Sequence, residues 1–265
     1  MSTRSPILNV MTRAADKAAR GLKRDFGEVE QLQVSQKGPA DFVSNADIKA
    51  EKVLREELSK ARPAFGFLLE EGGVVKGTDP DHRWIIDPLD GTTNFLHGLP
   101  HFAISIGLEK NGEIIAGVVY DPIKEEMFCA EKGGGAFLND RRLRVSGRKN
   151  MHEALIGTGI PFRGRGDGDR FNRQLSVMMR ETAGVRRWGA AALDLAYVAA
   201  GRLDGFWEEG LSPWDLAAGL LLVRESGGYV SDMKGGQTML ESGTVLASNN
   251  LLHAPLQAFL TNATA

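Results

Sequence analysis

The stretch RWIIDPLDGTTNFLHG, residues 83–98, decides how this chain is read. Trp84, Ile85 and Ile86 form a short apolar run of strand type that drives into two aspartates, Asp87 and Asp90. Gly91 and two hydroxyl residues, Thr92 and Thr93, follow at once. Carboxylates gathered at the end of a buried strand repel one another, so each needs a hydrogen bond, a proton or a cation. Pro88 fixes one backbone angle and is predicted to end the strand ladder. The chain then turns both carboxylates toward one point, with the Leu89 carbonyl between them. Gly91 permits close backbone approach. The amides of Gly91 and Thr92 fall at the start of a turn or helix, a place that binds anions. A cation site beside an anion site suits a metal-bound phosphate.

Taken alone, DPLDG reads better as turn capping. Two more acidic termini shift the balance. FGFLLEE (65–71) reads as a strand ending in Glu70 and Glu71. Asp215 lies in the first turn of a helix over 213–226, with Ser212 as N-cap and Pro213 at the first position. By itself Asp215 is an ordinary acid at a helix N-terminus. Together these segments offer hard oxygen ligands with no His or Cys interleaved, which suits Mg2+, Mn2+ or Ca2+ rather than zinc. Phosphatases with an aspartate nucleophile carry Asp-x-Asp-Gly-Thr after a strand. Here Pro88 occupies the nucleophile's position, so attack by metal-activated water fits better.

Around this stretch the pattern is layered. Residues 5–26 have helical spacing, with Ile7, Met11, Ala14, Ala15, Ala18, Leu22 and Phe26 on one face. Residues 35–47 are predicted to be a loop broken at Gly38-Pro39, and 46–61 a second amphipathic helix. Asn111-Gly112 between apolar runs signals a hairpin, and Asn139-Asp140 a further turn. Beyond about residue 150 strands and helices alternate: ALIGTGI, helix 167–182, GVRRWG, helix 190–201, LDGFWEE, helix 213–226, YVSD, TVLASN and a short last helix. The class is a layered α and β fold. Residues 1–148 make an N-terminal α+β part with an antiparallel sheet, and 149–265 a C-terminal α/β part with the substrate pocket. The two are expected to pack as one unit.

The chain has 265 residues, 42% hydrophobic and 25% charged, with a formal net charge of −2. Nothing global draws it to nucleic acid or to an anionic membrane. A single cysteine, Cys129, excludes an internal disulfide framework and reads as a small buried apolar residue. No apolar run matches a bilayer, and the first residues lack the h-region of a secretory signal. The expected compartment is the cytoplasm. Two basic stretches, 139–149 and 163–170, read more readily as solvated turns than as RNA-binding surfaces.

WIIDPLDGTTNF (84–95), PWDLAAG (213–219) and LEE (69–71) together resemble the inositol monophosphatase family of Mg2+-dependent, Li+-sensitive phosphatases, most of all its bacterial inositol-1-monophosphatase branch. GAAALDLAYVAAGRLDGFWE (189–208) extends the resemblance, which covers nearly the whole chain. It implies an α-β-α-β-α layered sandwich and hydrolysis of a polyol phosphate monoester, myo-inositol 1-phosphate first. Related sugar or nucleotide phosphates are the alternative substrates, and a non-catalytic role on RNA or a transcription complex is the alternative function. No organic cofactor is implied. The ions would be Mg2+, two or three of them, with Mn2+ as an alternative and Ca2+ and Li+ as inhibitors. Glu70, Asp87, the Leu89 carbonyl, Asp90 and Asp215 would hold these ions. Glu70, Thr92 and Asp47 would carry catalysis, Thr92 orienting the attacking water and Asp47 holding Thr92. Asp90, Gly91, Thr92, Gly189, Ala190, Ala191 and Glu208 would contact the substrate. Lys37 would lie in a loop closing over the site. The family resemblance also implies a homodimer. Leu69, Trp188 and Ala190 depart from the family pattern, where Gly often stands at the first position and Thr or Ser at the last, and this bears on substrate preference.

Overall fold

The structure is a computed structural model that describes residues 5–28, 34–38, 41–161 and 166–263, the side chains of 34–38 and 41–44 excepted. Helix α1 (Pro6–Phe26) starts where its signals place it: the Ser5 side chain accepts a hydrogen bond from the Leu8 amide at 3.2 Å and Pro6 opens the first turn. After it come β1 (Val34–Gly38), β2 (Asp41–Ser44) and α2 (Asn45–Ala61). The predicted loop over 35–47 is therefore corrected: β1 and β2 pair antiparallel, with Gly38 opposite Asp41, and α2 begins at Asn45. The side chain of Lys37 lies outside the described residues.

Strands β3 (Gly66–Leu69), β4 (Gly73–Val75), β5 (His82–Asp90), β6 (Ala103–Lys110), β7 (Glu113–Asp121), β8 (Glu126–Glu131), β9 (Gly135–Leu138) and β10 (Arg141–Arg142) follow, with a short helix α3 (Thr92–Leu96) after β5. Among the described residues they form one sheet in the order β10-β9-β8-β7-β6-β5-β3-β4, antiparallel except where β3 runs beside β5. The Asn111-Gly112 and Asn139-Asp140 turns sit at positive φ, as the hairpins they close require.

The rest of the chain gives β11 (Leu155–Thr158), α4 (Gly168–Glu181), β12 (Gly184–Arg186), α5 (Ala191–Ala199), β13 (Gly205–Glu209), α6 (Pro213–Glu225), β14 (Gly228–Ser231), α7 (Met239–Ser242), β15 (Thr244–Asn249) and α8 (His253–Asn262). Their strands make a second sheet, β12-β11-β13-β15-β14. Helices α1 and α2 cover the outer face of the large sheet. Helices α5 and α6 lie between the two sheets, and α4 and α8 cover the far side of the small one. This is the expected α-β-α-β-α sandwich.

Burial follows strand alternation. In β5, Trp84 and Ile86 enter the core under α1 and α2, while Ile85 between them enters the core around α5 and α6. Small residues set how closely α6 approaches the large sheet. A Cβ on Gly107 of β6 would lie 2.8 Å from Ala217 Cβ, and one on Gly117 of β7 3.0 Å from Ala218 Cα. The helix thus rests almost on the sheet backbone. Ser105 Oγ of β6 donates to the Trp214 carbonyl at 3.0 Å and pins the start of α6.

Pro88 does not end the ladder. Asp87 pairs with Ser105 and Asp90 with Ala103, so β5 carries one more residue than its partner across that interval. Pro88 sits in this bulge, where no amide is needed for the ladder, and pairing resumes beyond it.

Candidate active site

The bulge brings both β5 aspartates to one point, and the close seating of α6 delivers Asp215 to the same place. Carboxylate oxygens of Asp87, Asp90 and Asp215 all lie within 4.8 Å of one another. Asp87 and Asp90 are 2% and 8% exposed. Glu70, at the end of β3 beside β5, shares a hydrogen bond with Asp87. Glu71 parts from it: its amide donates to Glu51 Oε2 at 2.9 Å.

Each aspartate has one oxygen tied to backbone. Asp87 Oδ1 accepts from the Leu89 amide at 2.8 Å. Asp90 Oδ2 accepts from the Ala192 amide at 2.8 Å and so caps α5 across the molecule, where Ala190 at the N-cap has no side chain to do it. Asp215 Oδ2 accepts from the Ser212 amide at 2.7 Å. The capping reading of these acids and the cluster reading are both realised, because a carboxylate has two oxygens.

Burial, and then the charges of Glu70, Asp90 and Asp215, push Asp87 well above the usual carboxylate range. Burial and then Asp215 push Asp90 up to about 8, against the stabilising Ala192 amide. Such a cluster retains protons at neutral pH or exchanges them for a cation. The donors are carboxylate oxygens with the Leu89 carbonyl close by, so the residues present fit a hard divalent ion.

Thr92, the first residue of α3, stands beside the cluster. Its Oγ1 lies 3.0 Å from the Leu89 carbonyl and 3.2 Å from Asp47 Oδ1, both acceptors. Asp47 is fully buried in the first turn of α2. Gly91 has φ 89° and abuts the opposite wall: a Cβ there would lie 3.1 Å from the His101 carbonyl and 3.3 Å from Ala190 Cβ. Both the left-handed backbone and the crowding call for glycine.

That wall is Gly189-Ala190-Ala191, leading into α5. Glu208, near the end of β13, faces the same region. Burial first, then Asp215 and Asp90, raise its pKa to about 8, while Arg187 opposes them. Every candidate from the sequence except Lys37 is thus gathered around the acidic cluster.

Three contributors were not anticipated. Asn94 Nδ2 of α3 donates to the His101 and Trp188 carbonyls at 2.8 and 2.9 Å, locking α3 to the wall. Ser105 positions α6, as above. Asp194, 1% exposed in α5, is pushed well above the carboxylate range by burial and then by Glu208. Its only sequence signal is an acid inside an otherwise apolar helix.

The model of the inositol monophosphatase family matches residues 3–263. The chain belongs to the inositol monophosphatase family. It is 62% identical over 253 residues to an inositol-1-monophosphatase of Mesorhizobium japonicum, covering 96% of this chain and 95% of that protein. It is 48% identical over 248 residues to a Nus factor SuhB of Pseudomonas aeruginosa, with 92% of each covered. The crystal structure of the extragenic suppressor protein suhB from Bartonella henselae superposes with a TM-score of 0.94 at 55% identity, covering 97% of this chain and 98% of that one. The acidic cluster, the Thr92 turn and the Glu208 strand are therefore read within this family.

Proposed function

We propose that this chain hydrolyses the phosphate monoester of a polyol, with myo-inositol 1-phosphate as the leading substrate. As a family member it is a metal-dependent phosphoric monoester hydrolase acting on a small-molecule phosphate ester. The observation that carries the reading is the convergence of Asp87, Asp90 and Asp215 from β5 and α6.

A bound divalent cation supplies charge neutralisation at the phosphoryl oxygens and a water of lowered pKa. Glu70, Asp87, the Leu89 carbonyl, Asp90 and Asp215 are the groups that would hold it, as two or three Mg2+ ions, with Mn2+ as a substitute and Ca2+ and Li+ as inhibitors. Thr92 has one hydroxyl proton, and both Asp47 and Leu89 accept it. Its oxygen is left as an acceptor, so Thr92 orients the attacking water by accepting a hydrogen bond from it, with Glu70 on the other side. The Gly91 and Thr92 amides grip the phosphate. Gly189, Ala190, Ala191 and Glu208 receive the alcohol, Glu208 by accepting hydrogen bonds from its hydroxyls. Residues 1–148 and 149–265 act as one catalytic unit, since each contributes part of this set. We further propose a homodimer working in the cytoplasm; among the described residues no helix is long and apolar enough to cross a membrane.

The test is phosphate release from myo-inositol 1-phosphate with Mg2+, with chelator, and with added Li+. Release that needs Mg2+ and falls with Li+ is expected; silence with both Mg2+ and Mn2+ overturns the reading. The relatives named Nus factor support a second reading, a role in a transcription complex, and residues 139–149 are largely exposed. A protein inactive on every ester but retained by such a complex would favour it.

A further inference from the structure

Thr158 of β11 pairs with Trp207 of β13, which sets Gly159 beside Glu208. A Cβ on Gly159 would lie 1.8 Å from Glu208 Oε1, 1.9 Å from Cδ and 2.3 Å from Oε2. No real Cβ tolerates contacts below 3.0 Å, so the Glu208 carboxyl occupies the space a side chain at 159 would fill. The φ of Gly159 lies outside the left-handed region, so its backbone does not call for glycine; the neighbouring carboxyl does. Two residues earlier, a Cβ on Gly157 would lie 2.8 Å from Leu203 Cδ1 and 3.2 Å from the Phe206 ring, with Asp194 Oδ1 at an ordinary contact distance of 3.4 Å. Asp194 is buried, and that oxygen meets no donor. The end of β11 is thus a stripe without side chains, against which two acids lie.

We propose that Gly159 is a specificity-determining position: the side chain it lacks leaves room for the Glu208 carboxyl, and Glu208 held there selects a leaving group rich in hydroxyls. This rests on the reading of Glu208 as the acceptor of hydrogen bonds from substrate hydroxyls. Gly159 is a positioning residue, acting only through Glu208. The atoms a methyl group would strike are the tip of a flexible side chain, not backbone. Gly159→Ala therefore displaces the carboxyl by more than an ångström while β11 keeps its place. A carboxyl group moved that far loses its hydrogen bonds to the polyol.

The experiment is a double-mutant cycle on the Mg2+-loaded enzyme, with myo-inositol 1-phosphate and p-nitrophenyl phosphate, which carries no hydroxyl on its leaving group. Gly159→Ala raises KM for the inositol ester about tenfold, the size of one lost bond to a charged group. It leaves kcat for p-nitrophenyl phosphate within about twofold, since nothing there depends on Glu208. In a Glu208→Gln background the same change adds little, because the group it acts through is already altered. Equal losses on both esters, full additivity, or an unchanged KM each overturn the proposal. Should Gly159→Ala fail to fold, Glu208→Asp withdraws the carboxyl from Gly159 with its charge kept, and a wild-type KM for that variant overturns it equally. A wild-type enzyme silent on both esters would instead sink the phosphatase reading, which keeps the two failures apart.

Discussion

The two walls of the cleft are built by different means. On the acid side, Asp87, Asp90 and Asp215 each have one oxygen fastened to a backbone amide at 2.7–2.8 Å, which leaves the other for the cluster. On the alcohol side, Glu208 is placed by the space beside Gly159, and Gly189 and Ala190 by contact with Gly91. Hydrogen bonds fix angle and distance, and they suit groups that must converge on an ion. Empty space fixes only where a group is able to lie, so one methyl group retunes it. The difference predicts that changes to the acid side cost kcat, whereas changes to the alcohol side cost KM.

The hardest blow to that division comes from Asp90, which serves both walls. Asn at this position keeps an oxygen for the Ala192 amide but removes the charge from the cluster. Asp90→Asn is expected to lower kcat by about a thousandfold, the scale of losing charge stabilisation at a phosphoryl centre, with an unchanged circular dichroism spectrum. Phosphate release within tenfold of wild type would remove Asp90 from the ion site.

Thr92 tests whether a hydroxyl with its proton already engaged still matters. Thr92→Val preserves shape and deletes the oxygen proposed to orient the attacking water. A kcat loss of about tenfold to a hundredfold is expected, the range for groups that orient a reacting partner, with KM little altered. A KM-only effect in steady-state assays would place Thr92 on the substrate and not on the water.

Glu208→Gln sharpens the other side of the comparison. It should raise KM for myo-inositol 1-phosphate about tenfold and leave the Mg2+ concentration for half-maximal activity where it was. A shifted Mg2+ dependence would move Glu208 into the acid wall and dissolve the distinction.

How much of this was legible before the structure follows the same physics. Acids at the ends of apolar segments are costly, so Asp87, Asp90 and Asp215 stand out in a linear sequence. Gly91 stands out as well, since a glycine directly behind two acids permits close backbone approach. The bulge at Pro88 was not legible, because the missing residue is on β6 and only the pairing reveals it. Strand β4 and the pairing of β1 with β2 are too short for periodicity to register. Ser105, Asn94 and Gly159 were invisible for one common reason. Each acts on a group far away in sequence, and a lone Ser, Asn or Gly in a strand or helix has no local signature.

The acid wall also makes a prediction about stability, smaller than those on rate. Asp90 titrates near 8 in the folded chain, and Asp87 is raised as well. An unfolded aspartate titrates near the ordinary value of 3.8. The folded metal-free protein therefore binds more protons than the unfolded chain between those values. Its stability is greatest at the acid end of that interval and is lost as pH rises toward about 8. A divalent ion takes the place of those protons, so it competes with them least at the alkaline end. In thermal melts with chelator, Tm should fall from about pH 6 to about pH 8, the direction set by the raised carboxyl groups. Mg2+ should restore it, and restore more at the higher pH. At a hundredfold excess over Kd the gain is about 2.7 kcal/mol, or roughly 5–10 °C for a chain of this size. A Tm that rises with pH in chelator, or an Mg2+ gain larger at pH 6, would mean that the three carboxylates do not share one site in solution.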